Sequence, residues 1–135
     1  MKCRISKKFS LIKIFPYLKY EEIVVLQKNC LAALIPLSNS LRDISRFPHK
    51  VGEYLASRRP IITTVYGEPA KYLKDNVSAF IAEDFDPKLI AVKMKEILYN
   101  PDLANKVGIE GFKVCLNHFH YGNYSRLLNE FLSKI

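Results

Sequence analysis

The sequence has few of the residues and patterns that mark disordered, disulfide-built or membrane-spanning chains. Glycine and proline are scarce, at 5 and 7 of 135 residues, and no repeat or low-complexity run occurs, which argues against disorder. Cys3, Cys30 and Cys115 are odd in number and far apart, so they match neither a disulfide framework nor a zinc-ligand spacing. Reduced thiols in a cytoplasmic protein fit this pattern best. No apolar stretch approaches transmembrane length, and Lys13 interrupts the short apolar run near the N-terminus, which argues against a signal peptide.

The charge balance favours anionic partners. The net charge is +8 with an isoelectric point near 9.4, which suits nucleotides, phosphosugars, acidic membrane surfaces or nucleic acids. Nucleic acid is the least favoured of these partners, because the basic residues are spread along the chain and no RNA-binding signature occurs. The basic N-terminus is compatible with peripheral contact at the inner face of a membrane.

Four short apolar segments predict β-strands buried in a sheet. They are continuous rather than alternating, which is typical of strands covered on both faces of a parallel sheet. These segments are Leu11–Phe15, Leu31–Ile35, Pro60–Val65 and Ser78–Ala82. Helices are predicted between and after them, so the expected fold is α/β, a Rossmann-like parallel sheet flanked by helices with a helical C-terminal third.

The helical segments carry apolar faces and start signals. Predicted helices span Tyr20–Asn29, Pro48–Ser57, Pro101–Leu116 and Tyr121–Leu132, with a short helix at Pro69–Leu73. A further helix is predicted to start at Asp86-Pro87 and to carry an apolar stripe as far as Leu98. In the helix Pro48–Ser57, Val51, Tyr54 and Leu55 share one face at i, i+3 and i+4. Inward faces are also expected at Ile23, Val24 and Leu26, at Leu89, Ile90, Met94, Ile97 and Leu98, and at Leu127, Leu128 and Phe131. Ser38–Arg46 has no periodicity and is predicted to be a loop.

A ligand site is expected where the Pro48 helix begins. Ligands of parallel sheets bind at the carboxyl ends of the strands, and a helix start there presents free N–H groups that can hold a diphosphate. Glu53 could accept hydrogen bonds from two vicinal hydroxyls, such as those of a ribose, and Lys50 could offset phosphate charge. Periodicity alone favours a simpler interpretation, a surface ion pair between Lys50 and Glu53 at i, i+3.

A family resemblance strengthens the ligand interpretation. The run Phe47-Pro48-His49-Lys50-Val51-Gly52-Glu53-Tyr54-Leu55-Ala56, followed by Ser57-Arg58-Arg59-Pro60 and a β-branched strand, resembles the donor-binding segment of group 1 (family 4-like) GT-B glycosyltransferases. The resemblance covers about residues 11–134. Less specific matches to the family's other segments occur in the same order along the chain. They lie at Tyr20–Ile23, Pro36–Ser38, Val65–Glu68, Asp75–Ile81, Asp86 onward and His118–Tyr121.

The resemblance implies a nucleotide-sugar donor, no metal and transfer with retention. In the family, two glutamates are spaced by seven residues, and the second of them binds the ribose. Glu53 corresponds to this second glutamate. Phe47, Pro48, His49 and Lys50 correspond to the loop and helix start beside the diphosphate and sugar, and the amides from Pro48 to Val51 are expected to face both. Ser45 stands where the family's first glutamate usually contacts the donor sugar, which is a departure from the pattern.

The resemblance also bears on domain organisation. Residues 1–135 are expected to form a single, N-terminally incomplete donor-binding domain, without the acceptor domain and without the Arg and Lys that usually grip the diphosphate. No catalytic residue can then be assigned, and the isolated chain is expected to be inactive. The alternative is a non-catalytic, truncated α/β module that dimerises or binds a partner chain through an exposed sheet edge. His118 and His120 lack acidic or Cys partners nearby in sequence, so no metal site is expected.

Overall fold

The core of the fold is a parallel sheet of three short strands. The computed structural model describes residues 12–45 and 48–134. Its strands, in the order in which they pair, are β1 (Ala33–Leu34), β2 (Ile61–Thr64) and β3 (Phe80–Ala82). Ala33 lies opposite Ile61, and Ile62 lies opposite Phe80. Because all three strands run in the same direction, their carboxyl ends meet at one edge.

Helices flank the sheet and occupy the C-terminal third, which confirms the α/β prediction. The helices of the described residues are α1 (Tyr20–Asn29), α2 (Leu41–Ile44), α3 (Lys50–Ala56), α4 (Pro87–Tyr99), α5 (Pro101–Val114) and α6 (Gly122–Leu132). A 3₁₀ turn, Glu68–Lys71, follows β2, and a π turn, Cys115–Phe119, follows α5. The predicted start signal of α4 operates as expected, because the Asp86 carboxylate accepts a 2.7 Å hydrogen bond from the Lys88 N–H.

The hydrophobic core lies on both faces of the sheet. All four residues of β2 are buried, and successive residues point to opposite faces, so Ile61 and Ile62 contribute to different clusters. One cluster contains Val51, Leu55, Ile61, Leu73 and Ala79, and the other contains Ile62, Phe80, Ile97, Ala104 and Val107. The predicted inward face of α3 is therefore confirmed.

Two glycines let α5 lie directly on neighbouring backbone. A β-carbon on Gly108 would fall 2.5 Å from the Arg58 carbonyl oxygen, and one on Gly111 would fall 2.7 Å from the Ser78 carbonyl oxygen. The turn that receives α5 has a positive φ of 60° at Arg58. The Arg58 guanidinium lies 4.5 Å from the Phe112 ring centroid, a cation–π contact that holds this turn on α5.

Two segment predictions were wrong. Ile12–Phe15, within the predicted strand Leu11–Phe15, forms no strand and is exposed, while Leu11 lies outside the described residues. An apolar run becomes a strand only where a neighbour pairs with it, and no described strand does so here. The predicted loop Ser38–Arg46 contains α2, whose start is capped by the Ser40 hydroxyl accepting from the Asp43 N–H at 3.3 Å. The remaining strands form within their predicted segments but are shorter.

Several predicted inward faces are exposed. Leu127, Leu128 and Phe131 of α6 are each more than half exposed, and no residue of α1 is buried. On α4 only Ile97 is buried, whereas Leu89, Met94 and Leu98 are exposed. An amphipathic pattern defines which face of a helix is apolar, but burial needs a second element, and no element of the described chain covers these faces.

Candidate functional site

The loop after β1 is held onto the end of β2 by threonine hydroxyls. The Thr64 hydroxyl donates to the Leu37 carbonyl at 2.5 Å and accepts from the Leu37 N–H at 3.2 Å. The Thr63 hydroxyl donates to the Ile35 carbonyl at 3.0 Å. Thr64 and Leu37 are both buried, so these bonds are shielded from water and fix where the loop leaves the sheet.

The loops after β1 and β2 are packed against each other. The Asp43 carboxylate of α2 accepts hydrogen bonds from the Ser38 N–H at 3.0 Å and the Ser38 hydroxyl at 2.6 Å. Gly67, in the loop after β2, has a φ of 78°, and a β-carbon there would fall 2.9 Å from the Asp43 carbonyl oxygen. Glycine is therefore required at this position both for its backbone conformation and for the close approach to α2.

The predicted site residues are arranged around the gap between α2 and α3. Ser45 ends α2, is exposed, and donates its hydroxyl to the Leu41 carbonyl at 2.6 Å. Phe47 lies outside the described residues. Pro48 is half-buried, while His49 and Lys50 are exposed at the start of α3. Ser45 and the start of α3 therefore lie in the connection that leads from the carboxyl end of β1 to the beginning of β2.

Val51 is a correction to the predicted site. Its side chain is fully buried in the core, and its N–H donates to the Pro48 carbonyl at 2.9 Å. The Gly52 N–H similarly donates to the His49 carbonyl at 3.1 Å. The chain already turns helically at Pro48 and His49, so these two amides are used within the turn. Val51 therefore positions α3 from the core side and offers neither side chain nor amide to a ligand.

Glu53 lies exposed beside a groove between α1 and α3. It lies in the first turn of α3, is exposed, and forms no ion pair with Lys50, so the surface ion pair that periodicity favoured is absent. Its side chain lines a groove of about 400 Å³ between α1 and α3. The groove is lined by Tyr20, Ile23, Val24, Gln27, Lys28, Glu53, Ala56 and Ser57.

The sequence analysis did not predict that α1 forms one wall of this groove. Tyr20, Gln27 and Lys28 bring a phenol, an amide and an ammonium group to it. The Arg59 Nε donates to the Lys28 carbonyl at 2.7 Å, which fixes the end of α1 beside the turn that follows α3. The groove is mainly apolar along its length, with polar groups at intervals, which is the usual composition of a small-molecule site.

Comparison with known proteins gives the chain its family. Residues 3–114 match the family model described as glycosyl transferases group 1. The chain belongs to this family. No curated protein sequence matches it. Among solved structures it resembles Anabaena HepE, determined in complex with UDP-glucose, with a TM-score of 0.67 and 13% sequence identity. The match covers 82% of this chain and 29% of that one, and at this identity it shows the shared fold.

A tyrosine–carboxylate pair joins two loops at the carboxyl edge of the sheet. The Tyr66 hydroxyl, after β2, donates to Asp84 Oδ1, after β3, at 2.8 Å, and the Phe85 N–H donates to the same oxygen at 2.7 Å. The hydrogen bond from Tyr66, followed by that from Phe85, lowers the pKa of Asp84. The same bond to Asp84 raises the pKa of Tyr66. Asp84 is therefore ionised and Tyr66 neutral at physiological pH.

Other polar residues of the glycosyltransferase chain have structural contacts. The His118 ring lies 5.2 Å from the Tyr72 ring, and the His118 carbonyl accepts from the Tyr124 hydroxyl at 2.6 Å. Burial raises the pKa of the Cys30 and Cys115 thiols, which form no disulfide.

Residues 12–45 and 48–134 contain no cluster of three His, Cys, Asp or Glu side chains that could hold a metal ion. Within the same ranges, no helix has the length and apolar character needed to cross a membrane.

Proposed function

We propose that this chain binds the nucleoside-diphosphate sugar of a glycosyltransferase, with Glu53 holding the ribose. The observation that carries the proposal is the exposed Glu53 carboxylate, which has no ion-pair partner among the described residues and lines a groove of about 400 Å³. A carboxylate has two oxygens that can each accept from one of two neighbouring hydroxyls, which suits a ribose. Membership of the family and the UDP-glucose bound to the structural neighbour support a nucleotide-sugar ligand.

The diphosphate would lie at the start of α3. His49 and Lys50 are exposed there, and the Lys50 ammonium, one turn before Glu53, would offset phosphate charge. Pro48 and Phe47 would shape the loop beside the diphosphate and the sugar. Ser45 stands where the family usually has a glutamate, and its shorter side chain would reach less far toward the sugar and bind it more weakly.

Calorimetric titration with UDP and with GDP tests the site. We expect weak binding of at least one nucleotide, reduced by about tenfold or more in Glu53→Gln, because hydrogen bonds to a charged group are worth about 1.5–3 kcal/mol. Asp102→Asn is the matched control, since it removes the same charge from an exposed carboxylate on α5. Binding that survives Glu53→Gln unchanged would exclude Glu53 as the ribose ligand.

Sugar transfer needs more than these 135 residues in this proposal. The chain spans 29% of the length of its structural neighbour, which supports an acceptor-binding part supplied by a further domain or a partner chain of a GT-B enzyme. Transfer would proceed with retention at the anomeric carbon and without a metal. The unpaired Cys30 and Cys115 support a cytoplasmic location, where thiols remain reduced.

A second candidate function is partner binding through β1, one of the two edge strands of the sheet that the described residues form. The N–H groups of Ala33 and Ile35 donate to β2 and its preceding residue, so the N–H and C=O of Leu34 point away from the sheet. Beside this edge lies an apolar groove of about 270 Å³. It is lined by Leu31, Ala32, Leu34, Ile62, Met94, Ile97 and Leu98. An open strand with apolar surroundings favours pairing with another chain.

Light scattering coupled to size-exclusion chromatography tests this second candidate. If copies of the chain pair through β1, the wild type will elute as a dimer and Leu31→Lys as a monomer, because a charge is placed where the groove would be covered. Leu41→Lys is the control, since Leu41 is more exposed and lies on α2, away from that groove. A wild-type monomer at every concentration would exclude self-association through this edge.

A further inference from the structure

The segment before and at the start of α1 is both apolar and exposed. Residues 12–19 belong to no helix or strand. Ile14, Tyr17 and Tyr20 are 73%, 80% and 75% exposed, and Ile12 and Phe15 are more than half exposed. Phe15 and Leu18 also line an open groove of about 340 Å³ with Glu21, Glu22, Val25 and Leu26 of α1. The segment 12–20, named here the entry segment, therefore exposes several large apolar and aromatic side chains close together in the sequence.

The positive charge of the chain is concentrated at the same end. Six of its 21 Lys and Arg residues lie in the first 19 positions, and no Asp or Glu precedes Glu21. The rest of the chain has 15 basic and 13 acidic residues and is nearly balanced. Within the described residues, Lys13 and Lys19 are exposed and have no ion-pair partner. These cations are therefore available to an anionic partner.

The nearest carboxylate does not cancel this charge at the exposed surface. Glu22 accepts a 2.7 Å hydrogen bond from the Lys19 N–H and thereby caps the start of α1. Its negative charge lies against the positive end of the helix dipole, where it is partly offset. Glu21 and Glu22 both line the groove beside Phe15 and Leu18. Over the first 22 positions of the sequence, six Lys and Arg residues stand against these two carboxylates.

We propose that the entry segment binds the surface of an anionic lipid bilayer. Lys13 and Lys19 would contact lipid phosphates, Ile14 and Phe15 would enter the boundary between headgroups and acyl chains, and Tyr17 would lie at the headgroup level. A lipid surface satisfies the cationic and the apolar groups together. A nucleic acid would use the lysines and leave the aliphatic side chains in water, and a second copy of the chain would bring a second cluster of like charges.

Vesicle co-sedimentation of the full chain tests the proposal. We expect binding to vesicles of phosphatidylcholine mixed with phosphatidylglycerol, and little binding to phosphatidylcholine alone. Lys13→Gln combined with Lys19→Gln should weaken binding by about 25-fold, since each lysine near such a surface contributes about fivefold. Ile14→Ser combined with Tyr17→Ser should weaken it by about tenfold or more, because buried apolar area is lost.

The matched control separates a local surface from overall charge. Lys88→Gln combined with Lys106→Gln removes the same charge from exposed positions on α4 and α5, and we expect it to bind vesicles within about twofold of the wild type. Equal weakening by this control, or unchanged binding after Ile14→Ser and Tyr17→Ser, would overturn the proposal. Failure of the wild type to sediment with anionic vesicles would also overturn it, and elution of the same sample as a dimer would then favour a second copy of the chain as the partner. Nucleotide titration of the same variants tests the proposed function separately, because none of the substituted residues lines the groove between α1 and α3.

Discussion

Replacing Thr64 with valine removes one hydroxyl from the carboxyl edge of the sheet and keeps the shape of the side chain. That hydroxyl is the hydrogen-bond partner of both the N–H and the C=O of Leu37, at 3.2 and 2.5 Å. Both residues are at most 2% exposed, so water cannot replace the lost bonds. A buried polar group left unpaired costs about 1–3 kcal/mol, so we expect Thr64→Val to lower the free energy of unfolding by about 3 kcal/mol.

Thermal unfolding followed by circular dichroism measures this loss. For a chain of this size we expect a fall in Tm of roughly 10 °C. Thr64→Ser is the control, because it keeps the hydroxyl and loses one methyl group, which costs about 1 kcal/mol. Equal destabilisation by valine and serine would refute the reasoning, since the methyl group and not the hydroxyl would then explain the loss. A valine variant with wild-type Tm would show that the two Leu37 groups need no partner.

Two further changes test the packing of α5 and the pH response of the carboxyl edge. We expect Gly108→Ala to destabilise the chain by about 1–3 kcal/mol in urea unfolding, because its β-carbon would fall 2.5 Å from the Arg58 oxygen. Gly52→Ala, whose nearest contact is 3.9 Å away, should instead be neutral or gain up to about 1 kcal/mol. Tyr66→Phe should raise the pKa of Asp84 toward 3.8 in an NMR titration. Because the folded Asp84 pKa lies below 3.8, its contribution to stability is present above pH 3.8 and lost as the pH falls through the folded value. The variant should show a smaller acid-side loss, since the Phe85 N–H still donates to Asp84.

Local composition was sufficient to predict the centre of the fold. Ile61–Thr64 is continuously β-branched, which suits a strand that is buried on both faces, and the Asp86-Pro87 pair fixed the start of α4. The error at Ile12–Phe15 arose because strand pairing is decided by residues distant in sequence. α2 was missed because a single turn is too short to show periodicity, and its cap at Ser40 is equally typical of a loop.

The sequence indicated one wall of the candidate site and not the other. Glu53 was predicted from the resemblance, and the structure places it in the first turn of α3 as expected. The opposite wall of the groove, at Tyr20 and Lys28, depends on how α1 lies beside α3 and has no signature in the spacing of either helix. Val51 was predicted to offer its amide to the diphosphate and sugar, while its periodicity with Leu55 indicated that its side chain belongs to the core.

The loose attachment of α1 has a consequence for hydrogen exchange. No residue of α1 is buried, and the bond from Arg59 to Lys28 fixes only its last turn, so α1 can open without unfolding the sheet. Its amides should therefore exchange with solvent much faster than those of the fully buried strand Ile61–Thr64. A nucleotide held between Glu53 and α1 would oppose that opening. Slower deuterium uptake in Tyr20–Asn29 would then report occupancy of the groove by a ligand, with no need for a sugar to be transferred.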